Sequence, residues 1–307
     1  MNSVLRTINL THRYGERLAL KDVNIEVRSG EIFGLLGPNG GGKTTLFRIL
    51  STLIRPSSGS AELFGLNILE EPTAARRRMG VVFQSPSLDK KLRVVENLRH
   101  QGSLYGMRGS ALQARIDDLL NRFHLADRAR DIVETLSGGL QRRVEIAKSL
   151  LHSPEFLLLD EPSTGLDPGA RIDLWTFLGD LRNQGVTILL TTHLMDEADR
   201  CDRVAIIHKG EIVALGEPNA LRAQIGGDVI TIEAKDPETL LSRINAAFPF
   251  NATLLEGRLR IEKENGHQLI GKLFETFPGE IETITLGKPT LEDVFIAKTG
   301  HRLDGEG

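Results

Sequence analysis

The chain has 307 residues, enough for one large domain and a smaller one. Its formal net charge is −3 and its basic runs are short, which argues against a dedicated nucleic-acid surface. One cysteine, Cys201, excludes an intrachain disulfide; beside Ala198, Val204 and Ile206 it reads as a structural thiol in a reducing compartment.

Residues 1 to about 85 read as short strands and turns around a glycine-rich loop. The first residues, Met1 to Arg6, lack the features of a signal peptide, and no apolar run approaches the ~20 residues that span a bilayer. Any membrane path is therefore expected in another polypeptide. Residues 30–36 form a short apolar run that reads as a buried strand. It leads into Gly37-Pro38-Asn39-Gly40-Gly41-Gly42-Lys43-Thr44, a GxxxxGK[ST] phosphate loop, and then into the helical pattern that begins at Thr45. The glycines let backbone N–H groups approach phosphate oxygens, and the helix adds its positive end. Lys43 is expected to reach the β- and γ-phosphates and Thr44 to place its hydroxyl on Mg²⁺. Arg76-Arg77-Arg78 reads as the solvated face of a helix.

From about 86 to 152 the pattern is helical. Within it stands Leu136-Ser137-Gly138-Gly139-Leu140, where Ser137 is a good N-cap and Gly138 and Gly139 expose N–H groups at a helix start. The chain thus has two phosphate-binding ends, too far apart to share one site within a single fold. Two copies facing head to tail would bring them together across each nucleotide, so the chain reads as built to dimerise around ATP.

Phe156-Leu157-Leu158-Leu159-Asp160-Glu161 is an apolar run ending in two acids, the pattern of a central parallel strand. Ligands of such sheets collect at the carboxyl ends of strands. Asp160 is placed to hold Mg²⁺, and Glu161 to act as general base or polariser for the attacking water. Further strands are expected at 186–190 and 202–207. The histidines other than His193, among them His12, His124 and His208, show no metal spacing and are expected at the surface.

With these residues in order, residues 3 to 222 resemble the nucleotide-binding subunit of an ATP-binding cassette (ABC) transporter. The resemblance implies an α/β P-loop NTPase domain over 1–222, with a helical subdomain at about 86–152. It also implies the remaining roles. Tyr14 stacks on adenine, and Gln84, after Val81-Val82-Phe83, touches the metal and the attacking water. Ser137, Gly138 and Gly139 face the γ-phosphate held by the partner subunit. Asp167 ends the D-loop Ser163-Thr164-Gly165-Leu166-Asp167, which crosses the dimer seam. His193 contacts the γ-phosphate. Thr45 joins Gly37, Pro38, Asn39, Gly40, Gly41, Gly42, Lys43 and Thr44 around the nucleotide, and Thr44, Gln84 and Asp160 surround Mg²⁺. Gly41 and Leu140 depart from the family's usual Ala and Gln without removing a phosphate ligand. Gln84 marks the hinge beside a cleft that, in the family, receives a permease segment.

Residues 223–307 read as a separate α+β unit. Strands at 229–234, 252–256, 258–262 and 281–286 and helices at 237–247 and 266–276 give the β-α-β-β-α-β order of a ferredoxin-like fold, with a hairpin turn at Glu256-Gly257. Pro289-Thr290-Leu291-Glu292-Asp293-Val294-Phe295 resembles the tail of daunorubicin-resistance-type ATPases that serve ABC-2 exporters; it equally reads as a terminal helix packing Leu291, Val294 and Phe295. The end from His301 to Gly307 is expected to fray.

The resulting expectation is an ATP-hydrolysing exporter subunit. It works as a homodimer or with a second ABC subunit, and is held at the cytoplasmic face of a membrane by a separate multi-spanning permease. An importer ATPase would use the same chemistry. A soluble cassette ATPase of translation or repair is a further reading, against which one cassette, one cysteine and no heptad run count. Residues 223–307 also admit a ligand-sensing role. The cargo is not legible, because selectivity in such systems lies mainly in the membrane partner.

Overall fold

A computed structural model of the chain describes residues 3–301, so the expected frayed end after His301 lies outside the described residues. The chain divides into two compact units after Ile212, earlier than the expected boundary at 222/223. The short helix Pro218–Arg222 packs on the last helix, Leu291–Thr299, and so groups with the C-terminal unit.

In the first unit the long strand Ser3–Tyr14 pairs antiparallel with Arg17–Val23, Glu26–Arg28 and Ser58–Leu63. A parallel sheet follows in the order Arg203–His208, Ile32–Leu36, Thr187–Thr192, Phe156–Asp160, Met79–Val82. Ile32–Leu36, Phe156–Asp160 and Thr187–Thr192 are buried at every position, which is why an unbroken apolar run rather than alternation marks them. Their parallel register pairs Leu36 with Thr192, Asp160 with Thr191 and Leu159 with Val82. The loops leaving these strands therefore emerge side by side from one edge.

Helices Val94–Leu104, Gly109–Arg122 and Gly138–Ser149 lie within the segment read as helical. The first is opened by Glu96, whose carboxylate accepts from the N–H of Arg93 at 2.7 Å. Two expectations are corrected. His12 and His208 are buried rather than at the surface, His12 with its ring edge against Tyr14 at a centroid distance of 4.6 Å. Arg76 and Arg77 are exposed on the helix Pro72–Arg78 as expected, while half-buried Arg78 forks onto Glu155 and lies 3.7 Å over the Phe64 ring.

The second unit holds a four-stranded antiparallel sheet in the order Ala252–Leu255, Arg258–Lys263, Asp228–Ala234, Ile281–Gly287. Helices Pro237–Ala247 and His267–Thr276 bring Leu240, Ile244, Leu269 and Leu273 into one core with Ile230, Ile232, Leu259 and Ile261. This is the ferredoxin-like order. The hairpin turns through Glu256 (φ 47) and Gly257 (φ 75), both left-handed as a type I′ turn requires.

The tail motif has a structural role. Thr290 and Asp293 form a reciprocal cap at the start of the last helix, and Leu291, Val294 and Phe295 are fully buried. Asp293 also pairs with the buried guanidinium of Arg260. Glu262 Oε1 also accepts from this guanidinium at 2.9 Å, so loss of Asp293 removes the helix cap and part, not all, of the charge balance of Arg260. Asp293→Ala is expected to destabilise the C-terminal unit by about 2 kcal/mol in urea unfolding of the full chain; a loss under about 0.5 kcal/mol would contradict this role.

Candidate functional site

Gly37 to Gly42 leave strand Ile32–Leu36 at the common edge and turn directly into the helix Lys43–Leu50. Two glycines are obligatory here. Gly42 has φ 113, which an L side chain rarely adopts, and a Cβ on Gly37 would lie 2.4 Å from the carbonyl oxygen of Ile207. Lys43 is buried, with Nζ donating to the carbonyls of Gly37 at 2.7 Å and Pro38 at 3.0 Å. The same ammonium lies 3.6 Å from Glu161 Oε1. Burial pulls its pKa down, and the Glu161 charge opposes that shift.

Glu161 stands one residue beyond strand Phe156–Asp160, with its backbone in the left-handed region at φ 42. A non-glycine residue held there is strained, so its surroundings must fix it. They do so at several points. Glu161 N donates to Thr191 Oγ1 at 3.0 Å, and Oε2 accepts from Gln84 Nε2 at 3.2 Å and Thr164 Oγ1 at 3.3 Å. His193 Nδ1 also comes within 3.3 Å of Oε2, close enough for an ion pair but not aligned as a hydrogen bond. Thr191 Oγ1 donates onward to Asp160 Oδ1 at 2.6 Å.

Asp160 is buried beneath this cluster, and desolvation pushes its pKa up, opposed by the Thr191 hydroxyl. A carboxylate whose charged form is penalised in this way would be relieved by a cation. With the Thr44 hydroxyl and the Gln84 amide oxygen it offers hard oxygen donors. Among the described residues no group of three His, Cys, Asp or Glu side chains could hold a metal alone. That donor set fits Mg²⁺, which is commonly held by one or two carboxylates together with substrate phosphates.

One cleft is lined by Tyr14, Pro38, Asn39, Gly40, Gly42, Lys43, Thr44, Thr45, Gln84 and Glu161. Asp160 and His193 adjoin it through the contacts above. Arg17 and Ala19 line it too, brought in because Arg17 pairs with Tyr14 across the first hairpin. Their only signal in the sequence is nearness to that aromatic.

Ser137, Gly139 and Asp167 line a different cleft. Ser137 caps the helix Gly138–Ser149 by accepting from Leu140 N at 3.4 Å, and Asp167 caps Pro168–Asn183 by accepting from Ala170 N at 3.0 Å. Gly139 allows these two helix starts to meet, since a Cβ there would stand 3.2 Å from that of Ala170. Gly138 lies beside Gly165, whose carbonyl oxygen would be 4.0 Å from a Cβ added at 138. Within one chain, therefore, the fold gathers the expected residues into two groups.

Comparison with known proteins shows the family. A family described as ABC transporter matches residues 20–164, and one described as ATP-binding protein DrrA1-3-like, C-terminal domain, matches residues 216–299. The daunorubicin resistance ATP-binding protein DrrA3 of Streptomyces coeruleorubidus is 37% identical over 94% of this chain and 93% of its own length. The Nod factor export ATP-binding protein I of Cupriavidus pinatubonensis is 37% identical over 99% of this chain and 93% of its own. Among solved structures, a dimeric ATP-binding cassette in a post-hydrolysis state bound to ADP and Pi aligns with a TM-score of 0.63 and 28% identity. It covers 69% of this chain and 98% of its own.

Because the loop approaches Ile207 without room for a methyl group, Gly37→Ala must displace it. Nucleotide affinity is expected to fall by at least ~10-fold in a fluorescent-nucleotide titration, with the chain still folded. Unchanged affinity would show that the loop tolerates the shift.

Proposed function

This chain belongs to the ATP-binding subunits of ABC transporters, and from that premise we propose that it is the ATPase of an ABC-2 type exporter, closing as a dimer around two ATP molecules. The carrying observation is the separation of the two clefts. The Lys43 cleft holds a phosphate loop and a carboxylate with nothing from the Ser137 helix, while the second cleft holds a helix start without the loop. Each is half of a site that a head-to-tail partner completes.

In this reading the loop N–H groups and Lys43 bind the β- and γ-phosphates, and Tyr14 stacks on the base. Ser137, Gly138 and Gly139 of the partner subunit cap the γ-phosphate, with Asp167 at the seam. Glu161 takes a proton from the attacking water, which Gln84 orients, and His193 steadies the γ-phosphate. Thr44, Gln84 and Asp160 would hold Mg²⁺, whose charge neutralises phosphate oxygens when bound. ATP binds the closed dimer better than the open one, and hydrolysis removes that preference.

The DrrA-like C-terminal match and the exporter relatives favour export over import. No helix among the described residues is long and apolar enough to cross a membrane. The permease that the subunit serves is proposed to be a separate multi-spanning protein. A groove lined by Leu53, Phe83, Ser87, Gln101, Tyr105 and Lys148 is its proposed seat, at the cytoplasmic face of the membrane. The subunit works as a homodimer or with a second ABC subunit, and nucleic acid has no part.

Glu161→Gln tests the chemistry and the partner together. It is expected to bind ATP, hydrolyse it at least ~10²-fold more slowly, and accumulate as a closed dimer. Purified from membranes with ATP present, it is expected to bring a multi-spanning protein in stoichiometric amount. Unchanged turnover would remove Glu161 from its role, and recovery of soluble dimer alone would move the function away from transport.

A further inference from the structure

Arg142 and Glu145 stand on one face of the helix Gly138–Ser149, and both are buried despite their charge. The guanidinium has five donors and no acceptor. It spends them on main-chain carbonyls of two separate loops. Nε donates to Pro162 O at 2.9 Å, Nη2 to Asp160 O at 2.9 Å and Glu161 O at 3.3 Å, and Nη1 to Phe83 O at 2.6 Å. Nη1 also pairs with Glu145 Oε2 at 3.0 Å. The other oxygen of Glu145 accepts from the N–H of Ser87, and one turn further Lys148 Nζ donates to Ser87 O at 2.7 Å. The backbone on both sides of Gln84 is thus fastened to this helix. So is the strained peptide of Glu161, held from its other side by Thr191.

We infer that the Arg142–Glu145 pair is a positioning device that couples each subunit's Ser137 helix to its own Gln84 and Glu161, so that the two sites of the dimer communicate. The inference rests on the proposed sandwich, in which the Ser137 end meets nucleotide held by the partner. Ser137 lies at the start of the helix that carries Arg142, little more than one turn away. A shift of that rigid rod on closure moves a guanidinium bonded to both catalytic loops. Gln84 Nε2 and Glu161 Oε2, 3.2 Å apart, then keep their spacing only if the clasp is intact. Nucleotide at one site in this way prepares the chemistry at the other, which is positive coupling.

The test uses the full chain, comparing wild type with Arg142→Gln and Arg142→Lys in steady-state ATPase assays and ADP titrations. Neither replacement can reach the four carbonyls, and Lys keeps the charge that faces Glu145. In both variants kcat is expected to fall at least ~10-fold while ADP affinity stays within about threefold of wild type. The Hill coefficient for ATP is expected to exceed one in wild type and to approach one in both variants. Wild-type kcat and Hill coefficient in Arg142→Gln would overturn the inference. So would loss of ADP affinity together with kcat in both variants, the result of a merely structural role. A wild-type chain that did not turn over ATP would instead contradict the ATPase reading beneath it.

Discussion

The register of one parallel sheet governs the rest of the molecule. Ile32–Leu36, Thr187–Thr192, Phe156–Asp160 and Met79–Val82 end side by side, so residues 37, 193, 161 and 84 leave the same edge within one or two positions of their strands. Lys43, Asp160 and Glu161 are each buried and each balanced by a neighbour: loop carbonyls for the lysine, Thr191 for the aspartate, and Gln84 and Thr164 for the glutamate. An unpaired charge at such depth would cost several kcal/mol. The cluster therefore holds together as a unit, and its charge balance suits a ligand that brings both phosphate and cation.

That arrangement also explains why a single chain is half a machine. The cleft at the sheet edge holds donors and a carboxylate, and nothing from the Ser137 helix lines it. The second helix start is fixed elsewhere, by the caps of Ser137 and Asp167 and by the close packing that Gly139 permits against Ala170. Both features are preorganised, so closure requires rigid bodies to meet rather than a loop to fold. Backbone N–H groups at a helix start bind an anion without further rearrangement, which suits the proposed contact with the γ-phosphate.

Much of this was legible in the chain because the signals are contiguous. The phosphate loop, the acid-ended apolar run and the Ser-Gly-Gly helix start are each written in a few neighbouring residues. The C-terminal elements followed from alternation and from the Glu256-Gly257 turn in the same way. What stayed hidden depends on contacts between distant residues. Arg142 reads as one more basic residue on a helix until residues 83 and 160–162 are folded beneath it. Thr191 looks like an ordinary strand threonine, although its hydroxyl joins Asp160 to the backbone of Glu161. His12 and His208 carry no local mark of burial, and the helix Pro218–Arg222 does not announce that its partner is Leu291–Thr299. The tail motif was legible as a pattern, but the Asp293–Arg260 pair that accounts for its acid was not.

In the proposed dimer each nucleotide is held by Lys43 of one subunit and Ser137 of the other. The most direct test of that arrangement mixes two chains that both carry Glu161→Gln, one with Lys43→Ala and the other with Ser137→Ala, and measures ATP-dependent dimerisation by sedimentation. In either chain alone every site lacks one half, whereas the mixed dimer contains one site with both halves intact. Little dimer is expected from either chain alone, and clear ATP-dependent dimer on mixing. A mixture that stays monomeric while the parent Glu161→Gln chain dimerises with ATP would contradict that arrangement.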